Sequence, residues 1–250
     1  IDMNAKTHKN LEAKLLFCAV YFAAFVTFGM LFYIIGYILV KGIPHLSLDF
    51  FSLTYNSDNV SMVPAAVNTV TMAVMTLLIV VPIGIGAAIY TVEYAKRGSK
   101  LVKVVRITTE TLSGIPSIVY GLFGVLFFVT AMKWDRSMLA GACTLAIMVL
   151  PTIMRTTEEA LQSVPDSYRE ASFGLGAGKL RTVFQVVLPS AVPGILSGVI
   201  LAIGRIVGET AALIYTSGTI AKIPGSIMES GRTLALHMWT LANEGLHEDK

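Results

Sequence analysis

Residues 165–189 read PDSYREASFGLGAGKLRTVFQVVLP, a patterned stretch between two long apolar segments. Ser163 or Asp166 is placed to cap a helix that begins at Pro165, since proline is tolerated in a first helical turn and a side-chain oxygen can accept its free amides. Apolar residues then recur at Tyr168, Ala171, Phe173 and Leu175 before Gly174, Gly176 and Gly178 break the pattern. A second short helix is expected over 179–187, ending before Pro189. Two short helices joined by a glycine-rich turn form a knob that fits a partner's groove. A surface hairpin with no partner has the same pattern.

Working outward, 54% of the 250 residues are hydrophobic and 14% charged, against roughly 25% charged in ordinary soluble domains. Charge-free stretches cover 15–40, 59–92, 111–132, 137–154 and 191–214, apart from Arg205 and Glu209 in the last. Each reaches or approaches the ~20 residues that carry a helix across ~30 Å of hydrocarbon. The expected fold is therefore an all-α polytopic membrane protein with five spans. Pro64 and Pro82 mark a lead-in and a kink in the second. The first stretch is too long for a cleavable signal and reads as a retained helix. Cys18 and Cys143 lie in apolar runs without paired spacing and read as small buried residues.

Orientation follows from the basic residues. The first fourteen residues carry Lys6, Lys9 and Lys14; the second-to-third connection carries Lys96, Arg97, Lys100, Lys103 and Arg106; the fourth-to-fifth carries Arg155, Arg169, Lys179 and Arg181. Against these twelve, the alternate connections carry five: Lys41, Lys133, Arg136, Lys222 and Arg232. The positive-inside rule then puts residues 1–14 in the cytoplasm, residues 15–250 in one membrane domain, the 165–189 loop in the cytoplasm and the 215–240 loop outside. The net charge of +3 is small and dispersed, which argues against nucleic acid as a partner.

Glu170-Ala171-Ser172, three residues to Gly176, then nine to Val186-Val187-Leu188-Pro189 resembles the EAA signature of bacterial binding-protein-dependent ABC permeases. The departures are Ser172 for alanine and Val186 for isoleucine. The resemblance implies the transmembrane domain of a type I ABC importer, with a loop that docks on an ATPase subunit through Glu170, Ala171, Ser172, Gly176, Leu188 and Pro189. Gly174 to Lys179 superficially suggests a phosphate-binding loop, but Phe173 and Leu180 occupy positions where that pattern needs glycine and Ser or Thr. The expectation is no cofactor in this chain, with ATP and Mg bound by the partner ATPase, and no catalytic or metal site.

Arg205 and Glu209 interrupt an apolar stretch, and ionisable residues at membrane depth usually face a cavity or a partner. On one continuous helix their i, i+4 spacing allows an ion pair. They share a stripe about 120° wide with Gly194, Gly198, Ala202, Gly208 and Ala212. Small residues there permit either close helix approach or a passage. Arginine's planar fork suits a tetrahedral oxyanion, with Glu209 holding it when substrate is absent; a buried pair that merely pins helices is the competing reading.

The sequence from Ala202 to Leu213 (AIGRIVGETAAL), with Gly114 to Gly121 (GIPSIVYG), resembles the phosphate permeases of bacterial Pst systems, the PstA subunit more than PstC. That resemblance implies a phosphate pathway at Arg205 and Glu209. Thr210, Asn68 and Ser117 are further candidates, although each has an ordinary use in helix bonding or helix entry. It also implies a PstC-like second permease, two PstB-like ATPases, a PstS-like binding protein outside, and a sixth helix beyond the five visible here. A permease for molybdate or sulfate, a membrane-embedded enzyme, and an ATPase-independent channel remain as alternatives.

Overall fold

The computed structural model describes residues 2–56, 59–96 and 98–244, with side chains from residue 13 to 243 of these. The side chains of Lys6 and Lys9, all of Arg97, and the polar tail 245–250 lie outside the described residues. Two compact units emerge, dividing between Leu48 and Asp49. In the first, helix α1 (Asp2–Gly42) and the turn that follows it carry an apolar span, Ala13–His45, with mean hydropathy 2.3. No proline interrupts it before Pro44, where a 3-10 turn, Ile43–His45, closes it. Its apolar side chains from Leu15 to Val40 are solvent-accessible within the chain, as suits lipid or another subunit.

The second unit is built around α5 (Met138–Ser163), which packs most extensively on α2 (Val63–Ile89) and α8 (Leu188–Val207). Met72, Val80, Leu145, Met148, Ile153 and Ile206 form the middle of the core. A second cluster of Ala88, Leu161, Val164, Val183, Val187 and Ala191 closes the end near the 165–189 loop.

Four of the five expected spans are present as long apolar helices with shifted ends, and the third is a bent pair. The second starts at Val63 rather than 59, with Pro64 in its first turn and Pro82 inside, and runs on through a π-helical turn, Tyr90–Tyr94. The expected third span, 111–132, is not one straight helix: α3 (Lys100–Ser113) and α4 (Ser117–Gly124), extended by a π-helical turn Val125–Ala131, meet at 106°. Pro116 lacks an amide hydrogen and disfavours helical backbone at Ile115. The corner is closed by Gly114 and Ile115 amides on the Thr111 and Leu112 carbonyls and by the Tyr120 hydroxyl donating to the Leu112 carbonyl at 2.6 Å.

The fourth span continues past Met154 to Ser163, since Arg155, Glu158 and Glu159 are good helix formers; Arg155 and Glu159 pair at 3.0 Å. Ser137 caps its start by accepting from the Ala140 amide. The capping expected of Ser163 or Asp166 does not occur. Pro165 itself is the N-cap of α6 (Asp166–Gly174), and Ser163 donates back to the Ala160 carbonyl. Nor does the second loop helix stop before Pro189. Helix α7 (Lys179–Thr182) passes through a π-helical turn, Val183–Val187, into α8, giving one helix from Lys179 to Val207. The wider turn and the position of Pro189 in the first turn of α8 accommodate the missing amide.

Along α8, Gly194 and Gly198 make the close approach to α5. A β-carbon on Gly194 would lie 2.7 Å from the Ala160 β-carbon, and one on Gly198 would lie 2.7 Å from the Thr156 β-carbon. Of the two readings of the small-residue stripe, packing is realised over 194–202, where Ala202 is also buried. Gly198→Leu should cost about 1–3 kcal/mol by overpacking and lower the melting temperature in detergent. Gly204→Leu, at a position with nothing within 4 Å, should leave it nearly unchanged.

Candidate functional site

The 165–189 loop is a helical knob held from inside. At its tip Gly176 adopts φ +81°, a left-handed conformation that side chains with a β-carbon avoid. Nothing lies within 4 Å of the place a β-carbon would take, so backbone geometry rather than crowding requires glycine there. Ser172 is buried and shares a 2.8 Å hydrogen bond with Thr182, which ties α6 to α7. That contact uses the departure from alanine. Glu170 and Ala171 face outward on α6, whereas Leu188 and Pro189 lie beyond α7 at the start of α8. Tyr168, Phe173, Leu175, Leu180 and Phe184 are exposed, Leu175 at 89%. An apolar surface rimmed by Arg181 and Glu170 is suited to burial against a protein partner.

In the sequence Arg169 stands out only as one of the basic residues that set topology. Its guanidinium donates to the Glu93 carboxylate from Nε at 3.1 Å and Nη2 at 2.7 Å, to the Val164 and Leu161 carbonyls at 2.8 and 2.9 Å, and to Asp166 at 3.2 Å. A single arginine therefore joins α6 to the ends of α2 and α5. The one signal in the sequence was a lone acid, Glu93, just past a span end, and that does not identify its partner 76 residues away.

The second candidate region is the corner after α8. The expected continuous helix over 191–214 is broken: α8 ends at Val207, and α9 (Ala211–Thr216) begins after Gly208, Glu209 and Thr210. The expected Arg205–Glu209 ion pair on one helix face is absent among the described residues. Gly208 ends the ladder, and the Glu209 carboxylate instead accepts the Ala212 amide at 3.1 Å. Glu209 is buried at 8% exposure, and Arg205 is half-buried in the last turn of α8.

Helix α9 packs backbone-close on α4, where a β-carbon on Gly121 would lie 2.9 Å from the Ala212 α-carbon. Arg205, Glu209 and Thr210 thus share one corner, and Ser117 is the first residue of α4, the helix against which α9 packs. Thr210 and Ser117 are half-buried. Asn68 is committed elsewhere: its amide donates to the Lys222 carbonyl at 2.9 Å and the Arg232 carbonyl at 3.1 Å. Beside it Thr69 accepts the Leu234 amide at 2.8 Å. Both residues anchor the 215–240 segment, which leaves α9 at Thr216, is irregular from Ser217 to Thr233 and then starts α10 (Leu234–Glu244). In that segment Lys222 pairs with Glu229 at 2.8 Å. The Lys222 hydrogen bond, with help from the Gly225 amide, holds the Glu229 carboxyl below its ordinary range. The Arg232 guanidinium sits over the Tyr55 ring at 4.9 Å.

Comparison with known proteins places these features. Residues 80–240 match the model of the family described as binding-protein-dependent transport system inner membrane component. The chain is 36% identical to the probable ABC transporter permease protein YqgI of Bacillus subtilis (strain 168), over 86% of this chain and 78% of that protein. It is 38% identical to the phosphate transport system permease protein PstA of Pasteurella multocida (strain Pm70), over 84% of this chain and 75% of that protein. A solved bacterial ABC transporter involved in the import of the acidic polysaccharide alginate superposes with a TM-score of 0.61 at 18% identity. That superposition covers 98% of this chain and 88% of the other, and it shows a shared fold. The chain belongs to the binding-protein-dependent inner-membrane component family: it is a multi-pass permease subunit of an ABC importer, with the type I fold, that works with ATPase and substrate-binding partners and is not itself an enzyme.

Proposed function

We propose that this chain is a PstA-like permease subunit that translocates inorganic phosphate. The observation that carries the reading is Arg205, half-buried at the broken end of α8 and free of an ion pair with Glu209 among the described residues. A guanidinium placed so can offer two parallel donors to a tetrahedral oxyanion without needing a proton. Burial of an uncompensated charge is costly in a bilayer, which favours a site where an anion comes and goes. Glu209 fixes the corner by accepting the Ala212 amide of α9, and Thr210 and Ser117 are half-buried hydroxyls at the starts of α9 and α4, the two helices that pack together there. Asn68 contributes by holding the outer segment, its donors already being used. The relatives named as phosphate permeases support the substrate.

In this reading the twelve-to-five distribution of basic residues sets the amino terminus and the 165–189 knob in the cytoplasm and the 215–240 segment outside. The exposed apolar knob docks on a PstB-like ATPase, and two such subunits bind ATP and Mg. A PstC-like permease completes the path and a PstS-like protein delivers phosphate. No cofactor is assigned to this chain.

Arg205→Gln should leave the complex assembled while phosphate uptake into membrane vesicles falls. The loss of a charge-assisted pair is worth about 1.5–3 kcal/mol, roughly tenfold to a hundredfold in a binding-limited rate; unchanged uptake would refute the pathway role. Gly176→Val should strain the knob by on the order of 1–3 kcal/mol and release the ATPase on purification. Full co-purification with phosphate-stimulated hydrolysis would contradict docking.

A further inference from the structure

We propose that Arg169 and Glu93 form the strut through which movement of the 165–189 knob is passed to α2, making Arg169 a positioning residue for transport. The inference rests on the reading that this knob docks on an ATPase. A docked knob does nothing unless it is held to something that moves with it. Its chain continues into α5 at one end and α8 at the other, and to the end of α2 it is tied by Lys179 over the Tyr94 ring at 5.0 Å and by the stronger grip of Arg169 on Glu93.

Both partners are sheltered, with side chains 16% and 8% exposed, so the pair is neither screened nor free to wander like a surface ion pair. Every face of the guanidinium is used. Nε and Nη2 grip the Glu93 carboxylate, while Nη1 and Nη2 take the Val164 and Leu161 carbonyls at the end of α5. A lysine has three donors around a point charge and cannot occupy these positions together.

Glu93 sits within the π-helical turn Tyr90–Tyr94, which continues α2 without a break, so the helical rod runs from Val63 to Tyr94. At 1.5 Å per residue this rod is about 48 Å long. Next to Glu93, Thr91 donates to Glu158 of α5 at 2.6 Å, and near the far end Asn68 and Thr69 hold the 215–240 segment through the Lys222, Arg232 and Leu234 backbone. A shift of α6 therefore acts on the near end of a rod whose far end carries that segment. Rigid elements with specific bonds at each end are the physical means by which distant sites are coupled.

The test uses the assembled permease–ATPase complex in proteoliposomes, comparing wild type with Arg169→Lys, Glu93→Gln and the double variant. Three quantities are read: ATPase co-purification, ATP hydrolysis, and phosphate accumulated per ATP hydrolysed. The expected result is retained ATPase and hydrolysis within about twofold, with phosphate moved per ATP lower by about tenfold, as loss of a charge-assisted bond implies. The double variant should be no worse than either single, since both remove one interaction. An unchanged ratio in both single variants would overturn the proposal. So would loss of the ATPase or of the folded permease in step with the ratio, because the pair would then only hold the knob's shape. If the wild-type complex hydrolyses ATP but moves sulfate or molybdate instead, the phosphate assignment fails alone and the ratio is read with that solute.

Discussion

A chain that crosses hydrocarbon must satisfy every backbone amide and carbonyl from within itself, because lipid offers no hydrogen bonds. Each irregularity in this permease is shaped by that constraint. The corner at Gly114 to Pro116 is closed by short-range amide bonds and by the Tyr120 hydroxyl on the Leu112 carbonyl. The gap after Val207 is bridged by the Glu209 carboxylate on the Ala212 amide. Pro189 is absorbed by a preceding π-helical turn rather than by a break. These departures cluster where the protein needs more than a bundle, at the knob and at the Arg205 corner. The uninterrupted part of α5, packed between α2 and α8, supplies the rigid frame around them.

The frame explains how two distant regions share one element. At one end α2 meets Arg169 through Glu93, and towards the other Asn68 and Thr69 tie down the backbone of the 215–240 segment. Close approach of α8 to α5 at Gly194 and Gly198 leaves little slack between them, so the knob and the Arg205 corner are linked through a single helix from Lys179 to Val207. The π-helical turns at Tyr90–Tyr94 and Val183–Val187 keep α2 and α8 continuous where each meets the knob.

Much of this was legible in the sequence, for reasons that can be named. Long charge-free runs have one stable solution in lipid, so four of the five expected spans followed from length, while the third run became a helix pair bent by 106°. The knob was legible because Gly174, Gly176 and Gly178 interrupt a helical pattern and because the spacing from Glu170 to Pro189 matches a known signature. The ends of elements were less legible. Arg155, Glu158 and Glu159 looked like the close of a span, yet charged residues that favour helix let α5 run nine residues further. A run of basic residues over 100–106 hid α3, whose apolar positions share the helix with the charges used to assign topology. The Arg205–Glu209 pair was misread because i, i+4 spacing guarantees proximity only if the helix persists, and Gly208 ends it. Asn68 and Arg169 have partners far away in sequence, so no local pattern could announce them.

The central claim is that an ATP-driven complex containing this chain carries phosphate. Its most direct test is uptake of radiolabelled phosphate by the purified complex in proteoliposomes supplied with the binding protein, measured with and without ATP and with excess molybdate or sulfate. The account predicts accumulation that requires ATP and is displaced by unlabelled phosphate but not by the other two oxyanions. Accumulation that persists without ATP, or that sulfate or molybdate displaces as well as phosphate does, would contradict it.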